Sequence, residues 1–282
     1  MSKQTKIVTV IALILAAVGM AWYGLSQKQS QSAQQTTEPI KIGQVTPLTG
    51  DYGWAGELEK QGADLALEEI NAKGGINGRK LVIVREDDKM DPAQSVTAIT
   101  KLIGVDKVQA VIGMASSGGT LAAAPIAEKD QVVLLSPLAT ASKISNAGDY
   151  IFRLFPSAKQ EADKLIEAAV HQGYKNAAII DINNDYGSEL AQLIQQKADF
   201  LGINVVASES YSSDATDFRT QLAKIAGKNP EAIFLMGYAN DMTLVIKQAA
   251  EMGIKSSFLA SDMFDVVQLA TVGKASYWLG QH

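Results

Sequence analysis

The sequence contains no cysteine and only two histidines, His171 and His282. The first absence excludes disulfides, thiolate metal sites, thiol nucleophiles and a lipid-modified cysteine. The scarcity of histidine leaves few groups for general acid–base catalysis. The sequence also lacks a GxGxxG, GxxxxGKS or GxxxxGKT run, which argues against a nucleotide-dependent enzyme. We therefore expect a protein with no catalytic residues, no cofactor and no metal ion.

The charges of the chain are mixed in sign and spread along it. The 25 lysines and arginines oppose 30 aspartates and glutamates, which leaves a formal net charge of −5. Because no basic patch stands out, nucleic acid is not expected as a partner. Hydrophobic residues make up 47% of the 282 positions, enough to bury two ordinary cores, so the length predicts two domains.

Residues 1–25 are predicted to form a signal peptide or a membrane anchor. Lys3 and Lys6 precede an uncharged apolar stretch, 7–25, and this order is typical of both kinds of segment. We expect export to the periplasm or to the outer face of the cytoplasmic membrane, which the protein contacts through this segment if it is not cleaved. Residues 26–39 are rich in Gln, Ser and Thr and are predicted to form a flexible linker.

From residue 40 onward, segments with the apolar pattern of strands alternate with segments of helical periodicity, and the series occurs twice. Such alternation predicts parallel sheets with helices on both faces. The predicted fold class is therefore α/β, with two doubly wound parallel-sheet lobes, 40–156 and 157–282, and a ligand cleft between them. The tripeptide Asp51-Tyr52-Gly53 recurs as Asp185-Tyr186-Gly187, which supports an internal repeat.

The stretch from Ala110 to Thr120 predicts a strand, a tight turn and the start of a helix. Gly118 and Gly119 leave backbone N–H groups uncovered there, and Ser116 and Ser117 add hydroxyl donors. Together with the positive end of the helix dipole, these donors favour a small anion, either a carboxylate or a phosphate. The alternative is that Ser117 simply caps the helix.

The ligand of such a sheet lies beyond the carboxyl ends of the strands, where the loops emerge. Hydroxyls, aromatic rings and a few acids gather in these loops, without the histidine, cysteine or lysine of a reaction centre. The adjacent acids of one loop are interpreted as loop caps, and no metal site is assigned to them. The loop residues are Tyr52, Trp54, Asp87, Asp88, Ser116, Ser117, Leu138 to Thr140, 183–186, 238–241, Ser261 and Asp262.

Eight short motifs occur in this chain in the order of one known family. They are 43–50 (GQVTPLTG), 70–81 (INAKGGINGRKL), Asp87-Asp88 with Asp91-Pro92, 111–113 (VIG), 136–140 (SPLAT), Tyr186-Gly187, Asp217-Phe218 and Gly237-Tyr238. The chain resembles the type I periplasmic substrate-binding proteins of the branched-chain amino acid (Leu/Ile/Val-binding) group, the extracytoplasmic receptors of ABC importers. The resemblance implies two lobes that close on a small amino acid or a related amide, and ABC permease subunits as partners.

The resemblance also implies which residues of the first lobe hold an amino-acid headgroup. Ser117, with Ser116 and backbone N–H groups beside it, matches the serine that binds the α-carboxylate. Thr140 matches the threonine that contacts both ends of the headgroup. The carbonyl of Leu138, next to Ala139, matches the acceptor of the α-ammonium group. These five residues are expected to bind the ligand.

In the second lobe, Tyr186 and Tyr238 match tyrosines that cover the headgroup when the lobes close, with ordinary half-buried tyrosines as the alternative. Asp262 lies where the family often has an acid, commonly Glu, against the ammonium group. The side chain of Asp is shorter than that of Glu, and this difference affects how well an α-amino acid fits the site. Trp54 lies beside the position of an aromatic residue that forms the side-chain pocket, and Ala55 is the alternative equivalent.

Two other classes of function stay open. The same two-lobed fold serves as the ligand-sensing domain of membrane-tethered receptors, and enzymes are also built on doubly wound sheets. A signalling domain would distinguish a sensor, and turnover of an amide or a sugar would reveal an enzyme. Members of the resembled family continue beyond the stretch that matches the end of this chain, so we expect the C-terminal lobe to be incomplete here.

Overall fold

A computed structural model describes residues 38–264 and the backbone of the short strand Tyr277–Leu279. The predicted signal peptide or anchor lies outside the described residues, and so does the predicted linker up to residue 37. Within the described ranges, no helix combines the length and the apolar character needed to cross a bilayer.

The first lobe is built on five strands and three helices. They are β1 (Ile40–Thr46), α1 (Gly53–Ala72), β2 (Leu81–Asp87), α2 (Pro92–Lys101), β3 (Ala110–Ile112), α3 (Ser117–Lys129), β4 (Val133–Ser136) and β5 (Ile151–Arg153). The strands form one parallel sheet in the order β2-β1-β3-β4-β5. Ile42 of β1 pairs with Ile83 on one side and with Ala110 on the other, which fixes the register at this point.

The second lobe repeats this architecture. Its elements are α4 (Ala158–His171), β6 (Asn176–Ile182), α5 (Asp185–Leu201), β7 (Asn204–Tyr211), α6 (Arg219–Ala226), β8 (Ala232–Met236), α7 (Ala239–Glu251), β9 (Ser257–Ala260) and β10 (Tyr277–Leu279). The parallel sheet has the order β10-β9-β8-β6-β7. In both sheets the winding reverses beside the first strand of the lobe, and a crevice opens at such a point.

Each lobe has its own hydrophobic core. Ile99, Leu102 and Leu134 lie at the centre of the first, and β6 and β8 run almost wholly buried through the second. Strands buried on both faces are characteristic of a sheet covered by helices on each side. The predicted α/β class, with two doubly wound parallel-sheet lobes, is confirmed. The boundary between 156 and 157 stays a prediction.

The helix boundaries follow local chemistry more closely than hydrophobic periodicity. Asp91 caps α2, and its Oδ1 accepts from the backbone N–H of Gln94 at 2.9 Å. An Asp cap followed by Pro at the first helical position is a common way for a helix to begin. Helix α1 begins at Gly53, five residues before Leu58, the residue at which its apolar residues with helical spacing begin in the sequence. The first turn packs against the loop after β1, where a Cβ on Gly56 would lie 1.9 Å from the carbonyl oxygen of Pro47.

Candidate ligand-binding site

A cavity of about 230 Å³ lies between the two lobes, at the carboxyl ends of their strands. Pro47 follows β1, Ala115 follows β3 and Leu138 follows β4, while Tyr238 follows β8 of the other lobe. The loops predicted to carry the ligand site therefore meet at one place. The lining residues are Pro47, Tyr52, Trp54, Ala55, Leu58, Glu59, Met90, Ala115, Leu138, Tyr238, Ala239 and Met263.

Glu59 is the acid in this largely apolar wall. Its Oε2 accepts from the hydroxyl of Thr46 at 2.7 Å, and its Oε1 is buried with no partner among the described residues. Burial raises the pKa of Glu59 above that of an ordinary glutamate, and the nearby charge of Asp88 adds to the effect. The hydrogen bond from Thr46 acts in the opposite direction and offsets part of this rise in the pKa.

The two serines of the corner after β3 have different roles. Ser116 is the N-cap of α3, because its Oγ accepts from the backbone N–H of Gly119 at 3.1 Å. The alternative in which Ser117 caps the helix is wrong, since Ser117 is the first helical residue. The Oγ of Ser117 instead accepts from the backbone N–H groups of Thr140 and Ala141, both at 3.2 Å.

Ser117 therefore joins the corner after β3 to the loop after β4. Its oxygen already accepts two hydrogen bonds, so the hydroxyl hydrogen remains the group that can donate to a ligand. The hydroxyl of Thr140 is buried, and in the described part of the chain it has no hydrogen-bond partner. Ala139 is buried beside it, and its backbone N–H donates to the Oγ of Ser136 at 3.2 Å. Leu138 faces the cavity.

The N-terminal ends of α3 and α5 approach each other across the lobes. A Cβ built on Gly118 would lie 3.0 Å from Oδ2 of Asp185, in the first turn of α5. The absence of a side chain at Gly118 lets the second lobe come this close to the serine corner. The two halves of the candidate site are thus in contact.

Three tyrosine rings form the aromatic part of the site. Tyr238 lies between Tyr52, at a centroid distance of 5.0 Å and an angle of 68°, and Tyr186, at 5.7 Å and 27°. Tyr52 and Tyr186 are the central residues of the repeated Asp-Tyr-Gly tripeptide. That repeat was the available signal for Tyr52, which the predicted ligand set left out. Trp54 is half exposed, and both it and its alternative Ala55 line the cavity.

All three phenols are neutral donors or acceptors near neutral pH. Burial raises the pKa of Tyr238 to about 12, and it also raises the pKa values of Tyr52 and Tyr186 above the usual tyrosine range. Nearby acids add to the effect, because a phenolate beside a carboxylate is disfavoured. The Tyr238 hydroxyl accepts from the side-chain amide of Asn184 at 3.4 Å.

Asp262 follows β9 and lies beside a second acid, Glu161, which no pattern in the sequence indicates as a site residue. The backbone N–H of Asp262 donates to Oε1 of Glu161 at 3.2 Å, and the hydroxyl of Tyr186 donates to the same oxygen at 3.3 Å. Glu161 is only 9% exposed, and its Oε2 is buried without a partner among the described residues. Its position in the first turn of an amphipathic helix carried no signal of function.

Glu161 and Asp262 affect each other's pKa values. Burial raises the pKa of Glu161 well above the usual glutamate range, and the negative charge of Asp262 raises it further. Asp262 as a whole residue is exposed, but protein atoms around its carboxyl exclude part of the water there. This desolvation raises the pKa of the Asp262 carboxyl. Glu161 is the more buried of the two, and it is the one that holds a proton first.

Asp87 is the last residue of β2, and Asp88 is the first residue of the loop that follows. Asp87 accepts from the backbone N–H of Leu48 at 2.9 Å, and Asp88 accepts from the hydroxyl of Ser95 at 2.8 Å. Both carboxyls thus tie the loop after β2 to its neighbours. In the ranges that the structure describes, no group of three or more His, Cys, Asp or Glu residues is arranged to hold a metal ion.

One family model matches most of the chain. Residues 39–278 match the family described as periplasmic binding protein. The chain is also 29% identical over 249 residues to the Leu/Ile/Val/Thr-binding protein of Salmonella typhimurium, an alignment that covers 88% of this chain and 68% of that protein.

Two solved structures share the fold. A leucine binding protein from Thermotoga maritima has a TM-score of 0.78 at 27% identity, over 84% of this chain and 67% of that one. A branched-chain amino acid transporter substrate binding protein from Streptococcus pneumoniae, in complex with isoleucine, has a TM-score of 0.73 at 33% identity, over 84% of this chain and 68% of that one. The chain spans about two thirds of the length of each of these proteins.

Proposed function

Because the chain belongs to the periplasmic binding protein family, we propose that it is the extracytoplasmic receptor of an ABC importer and that its cleft binds a small aliphatic α-amino acid. The proposed partners are the ligand and the permease subunits of the importer. The proposed location is the periplasm or the outer face of the cytoplasmic membrane, since the relatives are periplasmic binding proteins.

The distribution of polar groups around the cavity carries this proposal. On the first lobe, the hydroxyl hydrogen of Ser117 lies at the N-terminus of α3, where a carboxylate is favoured. The backbone N–H of Thr140 donates to Ser117, and the Thr140 hydroxyl has no hydrogen-bond partner within residues 38–264. On the second lobe, Asp262 supplies a negative charge for an ammonium group. A zwitterion matches both sides, because each of its charged ends meets a group that compensates its desolvation.

The cavity itself fits an aliphatic side chain of modest size, and the proposed headgroup residues Ser117, Thr140 and Asp262 are not among its lining residues. Its wall includes Trp54, Leu58, Met90, Leu138 and Met263. The cavity of about 230 Å³ is smaller than the roughly 300 Å³ at which pockets for drug-sized ligands begin. A compact apolar wall next to a charged headgroup site favours a short amino acid over a sugar or a nucleotide.

Calorimetry of the protein against a ligand panel tests the proposal. The panel contains leucine, isoleucine, valine, threonine and alanine, with glucose, adenosine monophosphate and isovalerate as comparisons. We expect saturable binding of at least one aliphatic amino acid and none of isovalerate, which lacks the ammonium group. Binding of glucose or the nucleotide alone would refute the proposal.

The substitution Asp262→Asn adds a test at a single residue. It keeps the size of the side chain but removes its charge. Asp262 is exposed without ligand, and the proposed ligand covers it on binding. The loss of one member of the charge pair buried in this way costs ~2–5 kcal/mol, or roughly 30-fold or more in affinity. The matched control is Asp149→Asn, at an exposed position of the first lobe, and we expect it to bind as the wild type does. Unchanged affinity in Asp262→Asn would contradict the amino-acid assignment.

An uptake assay separates transport from sensing. Cells that carry the gene are expected to accumulate the radiolabelled amino acid identified by calorimetry, and cells from which it is deleted are expected to lose most of this uptake. Unchanged uptake together with an altered transcriptional response to the amino acid would instead favour a ligand-sensing receptor tethered to the membrane.

A further inference from the structure

We propose that Glu161 and Asp262 act as one acid pair that holds a single proton in the empty cleft and releases it when the ammonium group of the ligand binds. The proposal deepens the proposed function and rests on it, since it concerns the same headgroup site. It makes the capture of an amino acid dependent on pH, and it gives Glu161 the role of a positioning residue behind Asp262.

The hydrogen bonds around Glu161 locate the proton. Oε1 accepts from two donors, the backbone N–H of Asp262 and the hydroxyl of Tyr186. Oε2 is buried and has no donor among the described residues. The two carboxyls are also close enough to share a hydrogen bond. A carboxyl with one saturated oxygen and one oxygen without a donor has the pattern of a carboxylic acid that carries its proton on the second oxygen.

The charges around the pair do not stabilise a second negative charge. Asp262 comes from the loop after β9, and Tyr186 comes from α5. Tyr238, at the start of α7, raises the pKa of Tyr186. The negative charges of Asp185 and Asp241 in turn raise the pKa of Tyr238. In the described part of the chain, the main influences on either carboxyl include no lysine, arginine or histidine. Two neighbouring carboxylates are therefore disfavoured, and the pair keeps one proton.

An ammonium group changes this balance. A positive charge beside the two carboxyls favours their ionised forms, so the proton on Glu161 leaves through the exposed side of Asp262 to the solvent. No covalent bond other than this O–H bond is broken. By linkage, a ligand that releases a proton binds more tightly as the pH rises, by at most about tenfold per pH unit for one proton.

The test measures proton release directly. Calorimetry with L-leucine, or with the aliphatic amino acid that the panel identifies, is performed at pH 7 in phosphate and in Tris, whose ionisation enthalpies differ. We expect the apparent binding enthalpy to differ between the two buffers. The difference should equal the number of protons released, at most one, multiplied by the difference between the ionisation enthalpies of the buffers. We also expect the affinity to increase between pH 5.5 and pH 8.

The variant Glu161→Gln is expected to abolish the proton release. Its amide can donate to Asp262 as the carboxylic acid does but has no proton to lose, so its affinity at pH 7 stays within about threefold of the wild type or improves by up to about tenfold. Its binding enthalpy becomes the same in both buffers. The control Glu167→Gln, on the exposed face of the same helix, keeps the buffer dependence of the wild type.

Three other results would contradict the acid pair, and one of them would also contradict the proposed function. A wild type with equal enthalpies in both buffers and constant affinity over this pH range overturns the acid pair and leaves the proposed function standing. A buffer dependence that persists in Glu161→Gln assigns the proton to another group and also overturns the pair. The failure of every amino acid in the panel to bind overturns the proposed function, and the acid pair with it.

Discussion

The rings of Tyr52 and Tyr238 meet nearly edge to face, with their centroids 5.0 Å apart, although the first residue belongs to one lobe and the second to the other. The contact lies in the wall of the cavity, to which both side chains contribute. A ligand in this cavity would therefore contact rings contributed by both lobes. Tyr186 extends the same aromatic group behind Tyr238.

Removal of the Tyr52 ring is expected to weaken the closed arrangement. An aromatic pair contributes ~0.5–1.5 kcal/mol beyond its buried area, so Tyr52→Ala should bind the ligand about threefold to tenfold more weakly. Small-angle X-ray scattering should show a larger radius of gyration for this variant in the presence of ligand. Tyr52→Phe keeps the ring and should behave as the wild type does. Equal affinity and equal compactness in Tyr52→Ala would show that the contact does not contribute to closure.

Ser117 is expected to contribute more to stability than its neighbour Ser116. Ser117→Ala leaves the buried N–H groups of Thr140 and Ala141 without their acceptor, and an unpaired buried donor costs ~1–3 kcal/mol. Ser116→Ala removes an N-cap, which typically costs about 1 kcal/mol. Urea denaturation of both variants without ligand compares the two costs. A smaller loss in Ser117→Ala than in Ser116→Ala would contradict the role of Ser117 as the link between the loops.

Thr140→Val separates a ligand contact from a structural contact. The hydroxyl of Thr140 is buried without a partner in the described region, so its replacement by a methyl group should leave the unfolding free energy unchanged or slightly higher. The affinity for the amino acid should fall by about fivefold to tenfold, because a hydrogen bond contributes ~1–1.5 kcal/mol.

Thr120→Val provides the contrasting control. The hydroxyl of Thr120 donates to the carbonyl oxygen of Ser116 at 2.8 Å, so its loss should lower the unfolding free energy in urea denaturation. An unchanged ligand affinity in Thr140→Val would show that the threonine hydroxyl does not reach the ligand.

The pH dependence of stability provides a test of Glu161 without any ligand. Its pKa is raised in the folded state, so the contribution of its protonated form is fully present below the ordinary glutamate pKa of about 4.3 and is lost as the pH rises through the folded-state pKa. Glu161→Gln cannot lose this contribution. The melting temperature of the variant, relative to the wild type, should therefore rise from pH 4.5 to pH 8 in scanning calorimetry.

The exposed Glu68→Gln serves as the control for this measurement, and its difference from the wild type should be constant over the same range. A constant difference for Glu161→Gln as well would mean that Glu161 has no raised pKa in the folded protein.

The order of strands and helices could be predicted from the sequence because it depends on local patterns. Apolar runs, helical periodicity and the Asp91-Pro92 cap act over a few residues, and the two parallel sheets follow from the alternation that they create. The resemblance to the Leu/Ile/Val-binding group, which rested on short motifs in a fixed order, is confirmed by the family match over residues 39–278 together with the similarity to the Leu/Ile/Val/Thr-binding and leucine binding relatives. The roles assigned to Ser117, Thr140 and Asp262 stay predictions.

The sequence by itself determined the fold class, the family and the loops that surround the cavity, since these follow from local periodicity and from the rule that loops gather at the carboxyl ends of parallel strands. The tertiary structure alone decided which side chains in those loops meet. Glu161 and Asp262 are 101 positions apart, and the hydroxyl of Ser117 reaches backbone groups 23 and 24 positions away. Such pairings depend on how the strands, helices and loops of each lobe pack together, and no short-range pattern encodes that packing.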